Sequence, residues 1–268
     1  MMREHLWVAK ELWNELLAHT KRIYRDYGCF ATRKGLREMV KHQGLYSQVA
    51  QELVDRLLDA IGQHFHFKRI GIKCGFPRLK SFNRMKSLCY PQSGFSIEGK
   101  KLKVTPFGSI NIKLHRPIEG QVKTLSLKRE SSDRWFAIFV VETPVVIPKT
   151  NNGAKVGIDL GLKHFAVVSD GTIIKNPRHL RKHEKRLEGL QRQLSKKRLR
   201  SRNWYKASHV LTRAHEKVAN TRRDFHHKLS NRLVNKYSLI ALEDLSVKEM
   251  SEQQYGKSIH DAGWSSLI

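Results

Sequence analysis

Two acidic residues have the type and setting to do chemistry. Asp159 lies at the end of an apolar run from Lys155 to Leu160, with Gly157 and Gly161 on either side. Glu243 follows a second apolar run, Tyr237 to Leu242. Each run reads as a strand. A carboxylate at a strand end with little side-chain bulk around it can approach a metal or a phosphate. If the two strands are neighbours, both carboxylates converge on one spot. Such a pair suits a hard divalent cation that activates water and stabilises the leaving oxygen in phosphodiester hydrolysis. Spacing alone leaves a second reading open, in which both are strand-end acids that pair with cations of the chain or cap a helix.

Cations are in large excess. The 268 residues include 51 Lys and Arg against 24 Asp and Glu, a formal charge of +27. This exceeds what solubility or a small acidic substrate needs, so the composition points to a polyanion, either nucleic acid or an anionic membrane surface. The longest apolar run, Trp135 to Val141, is seven residues, against about 20 for a spanning helix. The start, Met1 to His5, has no apolar core of a signal peptide. Cys29, Cys74 and Cys89 form no CxxC pair and no even disulfide set, which predicts free thiols and a reducing, cytoplasmic setting. No membrane partner is expected; oligomeric state is not legible.

The densest charge lies between Arg178 and Lys206, with twelve Lys or Arg against two Glu. Two helical stripes run through this region, Leu180, Leu187, Leu190 and Leu194, then Leu211, Ala214, Val218, Phe225, Leu229 and Leu233. A helical pair over 178–236 would pack on its leucines and turn its cations outward, where they can track a phosphate backbone. The candidate contacts are Arg178, Arg181, Lys182, Lys185, Arg186, Arg192, Lys196, Lys197, Arg198, Arg200 and Arg202, with Trp204 and Tyr205 inside the charge run. Those aromatics can stack on an unpaired base; for Trp204, packing at the hairpin bend is the equal alternative.

The elements that must position these residues fall into three parts, a mixed α and β, multidomain architecture. Residues 1–70 read as helices, with Leu6, Ala9, Trp13, Leu16 and Leu17 at helical spacing, and Tyr46, Val49, Leu53, Leu57 and Ile61 in a second set capped at Ser47. Thr32 caps a short helix through Val40, and Asp26-Tyr27-Gly28 and Lys34-Gly35 read as turns. Residues 71–150 alternate with period two and carry turn residues at Pro106-Phe107-Gly108 and Ser131-Ser132-Asp133. They predict a small antiparallel sheet or β-barrel. The polar stretch Lys149 to Gly153 marks a domain boundary. Residues 151–268 open with a strand from Lys155 to Leu160 and a hairpin turning at Ser169 to Thr172.

Several stretches resemble the transposon-encoded OrfB/TnpB family of the IS200/IS605 and IS607 type. Val156-Gly157-Ile158-Asp159-Leu160-Gly161-Leu162-Lys163-His164-Phe165-Ala166 resembles its first RuvC motif, and Ala241-Leu242-Glu243-Asp244-Leu245-Ser246-Val247-Lys248 its second. Asn176-Pro177-Arg178, Leu187 to Ser195, His215 to Asn220 and Arg223 to Ser230 resemble the family's basic helical insert, and Gly75 to Phe82 the stretch leading into its barrel. The resemblance implies an RNase H-like (RuvC) α/β domain, here incomplete, interrupted by the basic hairpin. It implies an RNA-guided, Mg²⁺-dependent DNA endonuclease, with guide RNA and target DNA as partners, nucleoid association, and Asp159 and Glu243 as its first two catalytic, metal-binding acids. The family's third acid follows a zinc ribbon with two CxxC pairs; neither is found, nor is the family's opening strand, so the reading is of a C-terminally truncated copy with no zinc site.

Three readings follow. The first is a Mg²⁺-dependent, RNA-guided endonuclease. The second is a nuclease-deficient module that still binds guide RNA or DNA. The third, against which the motifs count, is a structural RNA-binding factor. Asp261 is expected to cap or flank a helix rather than to replace the third acid. Asp170 suits a hairpin turn. His64, His66 and Cys74, and His226 with His227, fall short of a four-ligand zinc set and are read as surface or phosphate-facing.

Overall fold

A computed structural model describes residues 1–144 and 153–267. The chain divides into two compact units, 1–146 and 147–268. Of the predicted boundary, Lys149 to Gly153, residues 149–152 lie outside the described residues, as do residues 145–148 before it.

The first unit opens with α1 (Met2–Tyr27), α2 (Arg33–Met39) and α3 (Ser47–Arg69). The predicted stripes form the inner faces of α1 and α3: Leu6, Leu16, Leu17 and Leu57 are fully buried. Helix α1 ends where Gly28 adopts φ 68° and its N–H donates to the Tyr24 carbonyl at 2.9 Å, a left-handed cap that a side chain would strain. Thr32 caps α2 by accepting from the Gly35 N–H at 3.2 Å. Lys34-Gly35 is therefore the first turn of a helix and not a loop, since the cap outweighs the local preference of one glycine. Ser47 is the first residue of α3 rather than its cap; Tyr46 holds the cap position without a side-chain bond.

Six strands follow: β1 (Ser87–Tyr90), β2 (Phe95–Glu98), β3 (Lys101–Val104), β4 (Gly108–Asn111), β5 (Gln121–Arg129) and β6 (Trp135–Glu142). They form two three-stranded antiparallel sheets, β1-β5-β6 and β2-β3-β4. This corrects the expected barrel. Among the described residues no strand pairing joins the two sheets, and closure needs an unbroken ladder with tilt and stagger matched around the ring. Alternation says which face a strand buries, not which neighbour it takes. The inner faces of both sheets pack on the helices, with Met85, Leu88, Leu102 and Leu125 in the same core as Leu16 and Leu57.

The second unit contains β7 (Lys155–Leu160), β8 (His164–Val168), β9 (Ile173–Lys175), α4 (His179–Ser195), α5 (Arg202–Lys236), β10 (Leu239–Leu242), α6 (Val247–Ser251) and α7 (Gly256–Ala262), then a 3-10 turn at Trp264–Ser266. The sheet order is β10-β7-β8-β9; β10 runs parallel to β7 and the other pairs are antiparallel. Val156, Ile158 and Leu160 point to one face, where Leu229, Leu233 and Tyr237 at the end of α5 and Ile259, Ala262 and Trp264 near the chain end cover them. The other face of β7 carries Lys155, Gly157 and Asp159, all exposed. The sequence reads this segment only as an apolar strand; the structure shows that it alternates and turns Asp159 outward.

Candidate metal centre and nucleic-acid interface

Strand pairing puts the two acids at the ends of adjacent parallel strands. In the parallel ladder Leu239 lies opposite Lys155, Ile240 opposite Val156, Ala241 opposite Gly157 and Leu242 opposite Ile158. The ladder ends at Leu242; continued by one residue, the same register would set Glu243 opposite Asp159. Neighbouring strands stand about 4.8 Å apart, and side chains at matched positions share a face, so the two carboxylates can reach a common ion. Asp159 and Glu243 are exposed, and neither makes a hydrogen bond or ion pair among the described residues. The alternative left open by spacing, that these acids serve an internal cation or a helix cap, has no contact here to support it.

The floor beside them is low. Gly157 and Ala241 are the preceding matched pair on that face, and a side chain at Gly157 would meet nothing within 4 Å. A phosphate could lie close to the backbone there. Gly161 has a different role: a side chain would stand 3.1 Å from the His164 carbonyl oxygen, so the tight return from β7 to β8 needs glycine. The donor set is hard oxygen, which fits Mg²⁺. That ion commonly takes one or two carboxylates and fills its octahedron with water and substrate phosphate oxygens. Among the described residues no group of three His, Cys, Asp or Glu is placed to hold a metal.

The other acids have structural partners. Asp261 accepts from the Leu180 N–H at 2.6 Å and the Arg181 N–H at 3.2 Å, so it caps α4 from α7, as its expected role required. Arg178, at the N-cap position of α4 with φ 49°, supplies no side-chain cap of its own. Asp170 accepts from the Thr172 N–H at 2.9 Å, Lys236 Nζ at 2.9 Å and the Tyr237 hydroxyl at 2.5 Å. The Tyr237 and Lys236 bonds hold its carboxyl well below the usual carboxylate range. It ties the β8–β9 turn to the end of α5.

His226 corrects the surface reading. It is buried, its Nε2 donates to the Ala262 carbonyl at 2.9 Å, and its Nδ1 lies 2.6 Å from Ser266 Oγ. It faces the core because it lies about one turn before buried Leu229, on the α5 side that meets Phe165. Burial pushes its pKa down, although its bond to Ala262 acts the other way. His227 is exposed, as are His66 and Cys74, while half-buried His64 contacts the Cys74 carbonyl at 3.0 Å.

The basic hairpin forms as predicted between β9 and β10. Leu187, Leu211 and Val218 are its buried seam, with Leu180, Leu190, Leu194 and Ala214 around them. Helix α5, at 1.5 Å per residue, is about 50 Å long, so its far half carries α4 away from the sheet while its near half packs on it. Arg178, Arg181, Lys182, Lys185, Arg186, Arg192, Lys196, Lys197, Arg198, Arg200 and Arg202 are all exposed; Arg192 pairs with Glu188 at 3.7 Å. At the bend, Ser201 caps α5 through the Trp204 N–H at 3.1 Å. Trp204 is half-buried and meets Tyr205 edge-on at 5.2 Å, while Tyr205 is 51% exposed. Tyr205 is thus the more exposed of the two rings. A cleft of about 300 Å³ between the helices is lined by His183, Arg186, Arg213 and Lys217, with Leu187 and Ala214 at its base. Arg213 and Lys217 were missed in the sequence because they fall past the dense charge run; their i, i+4 spacing was the available signal.

Comparison with known proteins now bears on this arrangement. A model of the OrfB family of IS605-type elements, described as a probable transposase, matches residues 138–254. That span holds both acids and the whole hairpin. The chain is 30% identical over 239 residues to an Escherichia coli (strain K12) protein named "Putative RNA-guided DNA endonuclease InsQ", covering 83% of this chain and 59% of that protein. The chain belongs to the OrfB/TnpB family. A Streptomyces pristinaespiralis protein named "Putative RNA-guided DNA endonuclease" is 32% identical over 197 residues, 72% of this chain and 49% of that protein. The chain thus spans from about half to about three-fifths of the length of these two relatives. No helix among the described residues is long and apolar enough to cross a membrane.

Proposed function

We propose that this chain is an RNA-guided DNA-binding protein of the endonuclease type, with a nucleic-acid backbone held along the α4–α5 hairpin and Mg²⁺ held by Asp159 and Glu243. One observation carries the reading: the parallel β10–β7 pairing, which holds Asp159 and ends one residue before Glu243, belongs to the same unit as the exposed cationic hairpin. Unit 2 is read as an RNase H-like (RuvC) fold, which its sheet order supports. The relatives' names supply the guide RNA and the DNA target.

The chain's own residues divide the work. The hairpin cations neutralise phosphates and set the position of the strand without reading bases, and the heteroduplex is held by shape and backbone. The cleft lined by Arg186, Arg213 and Lys217 takes phosphate oxygens, and Tyr205 stacks where a base is unpaired. Gly157 and Ala241 let a phosphodiester lie against the sheet. Asp159 and Glu243 supply two oxygen ligands, and bound Mg²⁺ would supply Lewis acidity toward the phosphate and a more acidic water.

A second reading, binding without cleavage, is favoured by the meeting of only two carboxylates among the described residues. One experiment separates them. The purified chain is combined with its element-encoded RNA, matched DNA and Mg²⁺. Cleavage that disappears in Asp159→Ala and in Glu243→Ala supports the enzyme. Guided binding without cleavage supports the second reading, and cleavage untouched by both substitutions rejects the site.

A further inference from the structure

Unit 1 carries a surface that the hairpin and the two acids do not use. At the end of α1, Tyr24 stacks on Phe30 at 4.5 Å with 16° between the ring planes. Phe30 meets Phe65 of α3 edge-on at 5.4 Å, Phe65 meets His64 at 5.1 Å, and His64 meets Phe76 at 5.3 Å. Five rings from α1, the α1–α2 connection, α3 and the extended segment after it thus form one continuous chain. Gly28 makes it possible: its left-handed cap turns the backbone so that Phe30 returns onto Tyr24.

Rings that merely sealed the end of a helical bundle would be buried. Tyr24 is 48% exposed and Phe65 38%. The Tyr24–Phe30 stack covers one face of the Tyr24 ring, and the exposed part of that ring is open to another flat group. The surroundings are cationic. From Gly62 to Lys80 there are five Lys or Arg and no Asp or Glu, and Lys68, Arg69 and Lys73 are exposed and make no ion pair among the described residues. Lys21 Nζ stands 5.4 Å from the Phe76 ring centre. Aromatic faces interleaved with unpaired cations match the two parts of a single-stranded nucleic acid, bases and phosphates. A protein partner would have to bring its own acidic rim.

We propose that the Tyr24–Phe30–Phe65 surface is a stacking platform for unpaired nucleotides, separate from the hairpin. This rests on the reading that the chain binds nucleic acid. The platform tolerates any base, because every base has a flat face, and the flanking lysines and arginines set the path of the strand.

The test uses the full chain and a short uridine-rich RNA carrying one 2-aminopurine. Tyr24→Leu and Phe65→Leu keep apolar bulk and remove the ring. Each is expected to weaken single-strand binding about tenfold, to relieve quenching of the 2-aminopurine, and to leave duplex binding and the melting temperature unchanged. Lys68→Gln with Lys73→Gln, both at exposed positions, is expected to lower the salt dependence of the same binding, and answers the question if a ring variant folds poorly. Wild-type affinity and quenching in the ring variants would overturn the proposal. So would equal losses for duplex and single strand, or ring variants that lose only self-association of the chain. Lys196→Gln with Lys197→Gln serves as the separate control. If that variant binds duplex normally, the hairpin reading fails, while the ring result still stands by itself.

Discussion

Replacing Asp261 by alanine should destabilise the second unit without touching cation binding. Helix α4 begins at His179, and the residue before it, Arg178, offers no side-chain cap. The free N–H groups of Leu180 and Arg181 are instead satisfied by Asp261, reaching across from α7. Loss of an ordinary N-cap costs about 0.5–2 kcal/mol. Here the acceptor is charged and nine-tenths buried, and hydrogen bonds to charged groups are worth roughly 1.5–3 kcal/mol. A loss of about 2 kcal/mol follows, and for a unit of this size that lowers Tm by roughly 5–10 °C. Asp261→Asn keeps one acceptor oxygen and should lose about half as much. The assay is thermal unfolding of the full chain, with hydrogen exchange read at the Leu180 and Arg181 amides. Unchanged melting and unchanged exchange in Asp261→Ala would refute the capping argument. Unchanged melting with lost cation binding would make Asp261 a ligand.

Two further outcomes are expected. Duplex affinity should fall steeply with salt, and replacing Lys196, Lys197, Arg198 and Arg200 by Gln should reduce the log–log slope by roughly 3–4, since each phosphate contact contributes about 0.9; an unchanged slope would place the contacts elsewhere. His226 is neutral in the fold, so below about pH 6.5 the unfolded chain takes up a proton that the folded chain resists, and stability is lost as pH falls toward the lowered folded pKa. His179 acts with the same sign, as burial also lowers its pKa. Melting temperatures of His226→Gln should therefore decline less between neutral and mildly acidic pH than those of the parent chain, and equal declines would contradict the assignment.

Local features were the legible ones. The apolar run from Lys155 to Leu160 placed β7, although not which of its faces lies outward. The apolar run before Glu243 placed β10, and the leucine stripes placed both helices of the hairpin. Each of these is written into consecutive residues. What stayed hidden depends on residues far apart in the chain. The partner of Asp261 lies some eighty residues upstream, and nothing in either segment names the other. The two small sheets take different neighbours from those a barrel would require, although most of their strands alternate as barrel strands would. His226 and His227 are adjacent and chemically identical, yet one is core and the other exposed, because a helix turns by 100° between them. The parallel pairing of β10 with β7 lay between these cases: each strand was legible, and their adjacency was only a condition.

The most direct test of the shared site replaces Mg²⁺ by Mn²⁺ and follows paramagnetic broadening of backbone amides in the full chain. The account predicts broadening centred on Asp159, Leu160 and Glu243 together, lost in Asp159→Ala and equally in Glu243→Ala. Broadening at one of these strand ends without the other, or broadening that survives both substitutions, would contradict it.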